Sequence, residues 1–374
     1  MIVADSIPII RPDVLYHEVE HDVRGVLASG ILTSGRHVAD FEKAVADFVG
    51  VDHAVATTSA TTALHLSLVA LGVEQGDEVL VPDFTFPATA NAVIQTGATP
   101  VFVDSGIGDF SMDPESAAMH ISDRTRVIMP VDPFGQPADH LALARLADDV
   151  GARLVVDAAC SLGATRDDRR CGAHGNMGCF SFHPRKVVTC GEGGMVTTDD
   201  RDLAERLRLL RNHGAAKKST PGLEFVEPGF NYRLSEIPAV LGLSQMRRID
   251  QILLDRRTTA HRYDGALSQV LGVSVHKTPP CATWSYQSYV VVIDSGLNRD
   301  AVIAKMAEAD IETTIGTYAC HQNPAYATWC QDPAEFPNSA LFADQSLTLP
   351  LVPSMTTGQV ERVVEALVTI VEDM

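Results

Sequence analysis

The sequence predicts an α/β fold: a mixed, mostly parallel seven-stranded sheet covered by helices, followed by a smaller C-terminal α/β domain. Two observations carry that expectation. From about His53 onward, short β-rich runs alternate with helical patterns, and such alternation builds a parallel sheet with crossover helices. The last two runs are joined by a loop too short for a crossover, so the final strand is expected to run antiparallel to its neighbours.

The candidate strands are 54–57, 79–82, 101–103, 127–130, 154–157, 179–182 and 195–198. Between the first two, residues 61–71 place Leu64, Leu68 and Leu71 on one helical face and stop at Gly72. An amphipathic helix is expected over 201–211, a loop over 214–229, and a long helical stretch from Ser235 to about Leu271. Beyond it, 288–293 and 311–315 read as strands flanking a helix at 299–309. A chain of 374 residues has room for two domains, expected at 1–254 and 255–374.

Composition narrows the function classes. The formal net charge of −19 argues against a nucleic-acid partner, although a local basic pocket for an anionic substrate is compatible with it. No apolar run approaches membrane-spanning length, and the N-terminus does not read as a secretory signal. The seven cysteines include no Cys-x-x-Cys pair and read as reduced thiols, so a cytoplasmic protein is expected.

Polar residues gather at the carboxyl ends of the strands, where open α/β sheets bind ligands. Cys179-Phe180-Ser181-Phe182-His183-Pro184-Arg185-Lys186 leads into Gly191-Glu192-Gly193-Gly194, which sets Lys186 on a tight loop between two strands. A lysine held in a polar, partly buried pocket forms a Schiff base with an aldehyde; a surface lysine in a glycine hairpin reads equally well from the loop alone. Asp157 ends the run Leu154-Val155-Val156. A carboxylate there serves as a helix cap or as partner of a protonated ring nitrogen. A metal site is not expected, because no second ligand lies at suitable spacing.

Thr57-Thr58-Ser59-Ala60-Thr61-Thr62 opens a helix, which makes either a plain cap or a phosphate cradle. Pro82-Asp83-Phe84-Thr85-Phe86 brings an aromatic ring to the same edge. Taken together, a phosphate cradle, a stacking ring, a carboxylate for a ring nitrogen and a lysine for an aldehyde are the four things pyridoxal 5′-phosphate (PLP) requires. His65, inside the first crossover helix, reads as a packing histidine, and Glu192 as structural.

At this point the chain resembles the DegT/DnrJ/EryC1/StrS family of sugar aminotransferases, of PLP fold type I. The matching segments include Gly30-Ile31-Leu32-Thr33-Ser34-Gly35, Phe134-Gly135-Gln136-Pro137, Gly191-Glu192-Gly193-Gly194, Arg211-Asn212-His213-Gly214 and Gly229-Phe230-Asn231-Tyr232-Arg233-Leu234-Ser235-Glu236. The resemblance implies Lys186 as the Schiff-base lysine and Asp157 as the partner of the pyridinium nitrogen. It implies Phe86 as the stacked ring, with Ala60, Thr61 and Ser181 at the phosphate. It also implies that Asn231 reaches the phosphate of a neighbouring subunit, and hence a homodimer with shared active sites.

Two departures from the family stand out. Cys160 occupies a position, beside the cofactor's 3-hydroxyl, where the family usually carries glutamine or histidine; it reads as a packing cysteine. A His-Tyr pair common in the family is absent from the stretch Gly316-Thr317-Tyr318-Ala319-Cys320-His321, whose Tyr318 and His321 are candidate substrate contacts together with His183 and Arg233. The implied activity is a ping-pong transamination from L-glutamate or L-glutamine to a nucleotide-linked keto-deoxysugar in amino-sugar or antibiotic biosynthesis. A keto-cyclitol such as scyllo-inosose is the competing acceptor. Arg185, Lys217, Lys218 and Arg233 are the available cations for a diphosphate. A PLP-dependent sugar dehydratase ranks lower, because the family's 3-dehydratases carry histidine where this chain has Lys186. A binder without turnover ranks lowest.

Overall fold

The computed structural model describes residues 6–217, 222–330 and 332–374. Its main sheet has seven strands: β1 (His53–Thr57), β2 (Glu78–Pro82), β3 (Thr99–Val103), β4 (Thr125–Ile128), β5 (Arg153–Asp157), β6 (Met177–Ser181) and β7 (Gly194–Thr198). Their spatial order is β1-β7-β6-β5-β4-β2-β3. All neighbours pair in parallel except β7, which runs antiparallel to both β1 and β6. The expected mixed sheet is therefore present, and its strand limits fall within two residues of the sequence reading. Strand β4 is displaced by two residues at both ends, running Thr125–Ile128 where 127–130 was expected.

Strand alternation explains the two cores. Ala54, Ala56, Leu80, Leu154 and Val156 face one side and pack with helices α2 (Arg36–Val49) and α8 (Glu236–Met246). Val55, Val79, Val81 and Val155 face the other side and pack with α3 (Ala60–Ala70), α4 (Ala88–Gln95) and α7 (Arg201–Leu210). A parallel strand covered on both faces must be apolar throughout, which is why β2 and most of β5 are buried at every position. Helices α1 (Tyr16–Ser29), α5 (Pro114–Met119) and α6 (His140–Asp149) complete this part of the chain.

The expected long helix after Ser235 is broken. It forms as α8 and α9 (Ile249–Leu267), because Arg248 leaves helical geometry at φ −127° and ψ 22°. Its guanidinium is drawn to Asp13 and Glu18, beside α1. Residues 214–229, expected as a loop, contain the short hairpin Ala215–Lys217 with Leu223–Phe225; Lys218 lies outside the described residues, and of Lys217 only the backbone is described.

A second sheet of four strands follows. In the order β8-β9-β11-β10 it comprises β8 (Val273–Val275), β9 (Tyr289–Ile293), β11 (Ser346–Leu349) and β10 (Thr314–Ile315). It packs with α9, α10 (Arg299–Glu308) and α12 (Thr357–Glu372), and Ile7 from the N-terminal segment is fully buried in the same core. Helix α9 runs without a break past residue 254. Helix α11 (Pro337–Gln345) and the short strand Tyr318–Ala319, paired with Phe84–Thr85, tie this region to the main sheet.

Candidate active site

Asp157, Thr57, Ser181 and Pro82 all end strands at one edge of the main sheet, and β7 begins there at Gly194. A cleft of about 420 Å³ opens at this edge. Its lining includes Ala60, Thr61, Phe86, Asp157, Cys160, Ser181, His183 and Lys186, so eight of the sequence-predicted residues meet in one place.

The lysine is oriented by the loop between β6 and β7. Its backbone N–H donates to the His183 carbonyl at 2.9 Å, and Thr189 Oγ1 donates to the Phe182 carbonyl at 3.0 Å. Lys186 Nζ then points across the sheet edge and donates to Cys160 Sγ at 3.0 Å. That contact corrects the packing role expected for Cys160: the side chain is only partly buried and faces the cleft. Strands β5 and β6 are neighbours, which is what brings these two residues together across 26 positions of sequence.

Asp157 is buried at the end of β5. Its Oδ2 accepts a hydrogen bond from the Thr89 hydroxyl at 2.8 Å and its Oδ1 from the Ala159 N–H at 3.2 Å. Burial pushes the carboxyl above its usual range, against the lowering effect of those hydrogen bonds and of Lys186. A cationic ring nitrogen placed against it would offset the desolvation that burial imposes.

At the start of α3, Ser59 and Thr62 form a reciprocal capping box. The cap leaves the N–H groups of Ala60 and Thr61 without a protein acceptor among the described residues, both of them at the cleft. Gly194 closes this corner: a Cβ there would lie 2.2 Å from the Ser59 carbonyl oxygen and 2.7 Å from the Ala60 nitrogen. Only glycine lets β7 approach the helix start so closely. Free N–H groups, a helix dipole and the nearby Ser181 hydroxyl make an anion cradle.

The remaining residues divide. Phe86 is largely exposed at the cleft mouth, its ring 6.3 Å from that of Tyr318. His183 lines the cleft while its Nδ1 accepts from the Arg185 N–H at 3.2 Å, and burial holds its pKa below the usual histidine range. Glu192, expected to be structural, instead is exposed and lines the cleft, because the glycine turn carries it to the rim.

His321 is a correction: its Nδ1 contacts Asp83 Oδ2 at 2.6 Å, its ring stacks on Phe336, and its side chain is 5% exposed, away from the cleft. Asn231 and Arg233 also lie off this cleft in the single chain, Arg233 donating to Asn212 Oδ1 at 2.8 Å. His65 is buried and its Nδ1 meets the Tyr232 hydroxyl at 3.2 Å, the packing role expected of it.

Thr89, Gln287 and Ser288 escaped the sequence reading. Thr89 lies in the first turn of α4 and its hydroxyl meets that of Thr85, in the strand before it, at 2.9 Å, but nothing in the sequence signals its carboxylate partner. Asp132, His140 and Cys171 lie close enough together to hold an ion. The Asp132 oxygens, however, already accept from Ala138, His140 and Ser161, and burial pushes the Cys171 thiol well up, which keeps its proton on.

Comparison with known proteins agrees with this geometry. The sequence profile of the DegT/DnrJ/EryC1/StrS aminotransferase family matches residues 14–368. The GDP-perosamine synthase of Caulobacter vibrioides is 38% identical over 90% of this chain and 91% of its own. The solved structure of DesV from S. venezuelae is 34% identical, with a TM-score of 0.92 over 98% of this chain and 99% of DesV. Spr1654 of Streptococcus pneumoniae, assigned as a sugar aminotransferase and solved in a PLP form, is 27% identical with a TM-score of 0.92, covering 98% and 99% of the two chains.

Proposed function

The chain belongs to the DegT/DnrJ/EryC1/StrS aminotransferase family, and from that membership we propose that it moves an amino group from L-glutamate or L-glutamine to a nucleotide-linked keto-deoxysugar, using PLP. The observation that carries the reading is Lys186 Nζ aimed into a cleft that also holds a buried carboxylate and a helix start with free N–H groups.

PLP fits this donor set. Ala60, Thr61 and Ser181 would hold its phosphate, Asp157 its ring nitrogen, Phe86 its ring face and Lys186 its aldehyde carbon. When bound, it supplies a carbonyl for amines and a ring that takes up negative charge from the amino carbon. Asp157, desolvated and steadied by Thr89, keeps a proton on the ring nitrogen, which is what lets the ring act as an electron sink. Lys186, once its amine is free, would take a proton from the amino carbon and deliver it to the cofactor's aldehyde carbon, across the nitrogen between them, as general base and then general acid. Cys160 Sγ gives that amine a resting partner at 3.0 Å. The neutral state that burial favours for His183 suits a hydrogen-bond partner better than a second cation.

The reading extends to assembly and setting. A homodimer with shared sites is supported by Asn231, exposed and off its own cleft, and by exposed Ile31, Leu32 and Phe225 on segments adjoining it. A reducing, cytoplasmic setting is supported by cysteines that are all free. Among the described residues no helix is long and apolar enough to cross a membrane.

The test has two parts. Borohydride reduction of the cofactor-loaded protein, followed by peptide mass analysis, should place a reduced cofactor adduct on Lys186. Lys186→Ala should lose turnover by at least about four orders of magnitude while still binding PLP non-covalently. Turnover near the parent rate in that variant overturns the assignment. Screening keto-sugar nucleotides against keto-cyclitols then decides the acceptor.

A further inference from the structure

A second, narrower groove opens beside the cleft and shares Arg185, Lys186, Gln287 and Ser288 with it. It runs between the N-terminal segment, the lysine loop and the β11 end of the small sheet. Four basic side chains line it, namely Arg11, Arg185, Arg256 and Lys186, the last being the one the cofactor would take up, and no carboxylate is among its lining residues. On a chain of net charge −19, such a grouping is a local positive field, and a concave wall strengthens it.

The three arginines differ in what already occupies them. Arg256 is committed, its guanidinium donating to the Tyr286 carbonyl at 2.9 Å and the Gln287 carbonyl at 2.7 Å. Those carbonyls carry no charge, and burial lowers Arg256 only to about 10, so it stays positive at neutral pH. Arg185 is fixed through its backbone, with its carbonyl accepting from Gln287 Nε2 at 2.7 Å. Its guanidinium and that of Arg11 have no hydrogen-bond or ion-pair partner among the described residues, and both side chains are exposed. The groove therefore presents free guanidinium forks over a fixed positive floor.

We infer that this groove docks the diphosphate of the acceptor, with Arg185 as its inner ligand and Arg11 at its outer end. The inference rests on the reading above that the acceptor is nucleotide-linked. Chemistry distinguishes the diphosphate from the amino donor's carboxylates. A donor's α-carboxylate is attached to the reacting carbon itself and must sit beside Lys186. In a nucleotide-linked keto-sugar the diphosphate is separated from the keto carbon by the sugar ring. A groove that begins at Lys186 and carries its free cations outward past Arg185 to Arg11 matches the second arrangement. Guanidinium forks meet phosphate oxygens in bidentate fashion, which ammonium groups do not.

The test uses cofactor-saturated protein, so that the cradle at α3 is filled, and inorganic pyrophosphate as the probe. Calorimetric titration should show pyrophosphate binding that weakens at least about tenfold in Arg185→Gln, less in Arg11→Gln, and with added salt, at unchanged thermal midpoints. Absorbance then follows the two half-reactions separately. Arg185→Gln should slow the keto-sugar half at least about tenfold more than the L-glutamate half. Pyrophosphate that fails to bind the parent, or binds both variants equally well, overturns the inference. So does a donor half slowed as much as the acceptor half, which would assign the anion to the donor carboxylate. If no keto-sugar nucleotide accepts an amine, the acceptor reading falls, while the pyrophosphate titration still decides the groove.

Discussion

Asp157, at the end of β5, and Asp132, on the segment that follows β4, are two buried carboxylates whose environments push them in opposite directions. Burial dominates Asp157 and raises it. Burial also acts to raise Asp132, but the attraction and hydrogen bond of His140, with those of Ser161 and Ala138, outweigh it and hold Asp132 below its usual value. The stability consequences have opposite signs. A raised carboxyl contributes most below its unfolded pKa, and that contribution is lost as pH rises through the folded value. A lowered one contributes above its unfolded pKa and loses that as pH falls through the folded value. Without cofactor at neutral pH, Asp157→Asn should therefore melt above the parent, with the gap closing toward acid, yet bind PLP poorly. Asp132→Asn should be destabilised by about 1–3 kcal/mol at neutral pH, since His140 and Ser161 lose a charged acceptor, and its gap should also close toward acid. Thermal melts of both variants across pH 4–8 test the pair, and gaps of equal sign would contradict the two assignments. That Asp157 and Lys186 would meet at one sheet edge was legible in sequence, because Asp157 ends β5 and Lys186 lies on the loop between β6 and β7. The Cys160–Lys186 contact was not, because it depends on β5 and β6 lying side by side. His321 was misplaced for a similar reason: its partner Asp83 is 238 residues away.

Among the elements, the sheet was legible nearly strand by strand, since a strand buried on both faces leaves an unbroken apolar run. The antiparallel β7 followed from loop length alone. The break between α8 and α9 was hidden because Arg247 and Arg248 are good helix formers, and the departure comes from Asp13 and Glu18 pulling on Arg248 from the other end of the chain. Gly194 shows how an element boundary shapes the cradle. Its missing side chain is the space between the first residue of β7 and the first turn of α3. The atoms that a Cβ would strike are backbone, so a rotamer change gives no relief. Gly194→Ala should cost about 1–3 kcal/mol in stability and weaken PLP binding at least about tenfold by displacing the Ala60 and Thr61 N–H groups. Fluorescence titration with PLP alongside a thermal melt checks this, and unaltered PLP affinity would remove the cradle from that corner.

For the whole molecule, the single chain supplies a cleft with its lysine, carboxylate and helix start, while Asn231 and Arg233 stand outside it. Residues Ile31 and Leu32 join the same region, because the Leu32 carbonyl accepts from the Glu236 N–H and Thr33 bridges to Ser235. Exposed apolar side chains beside a polar residue that its own cleft does not use are what a shared site at a two-fold axis would leave behind. The proposed homodimer with shared sites makes a quantitative demand on mixed assemblies. Lys186→Ala and Asn231→Ala homodimers should each be impaired, the first completely and the second in cofactor retention. In a mixed dimer of the two, one site carries both lesions and the other carries neither. Re-assembly from equal amounts should therefore restore roughly a quarter of parent activity, since half of the dimers are mixed and each has one intact site. Activity no greater than the average of the two parents would mean that Asn231 serves its own chain or none, and the shared-site reading would have to be withdrawn even if the dimer itself remained.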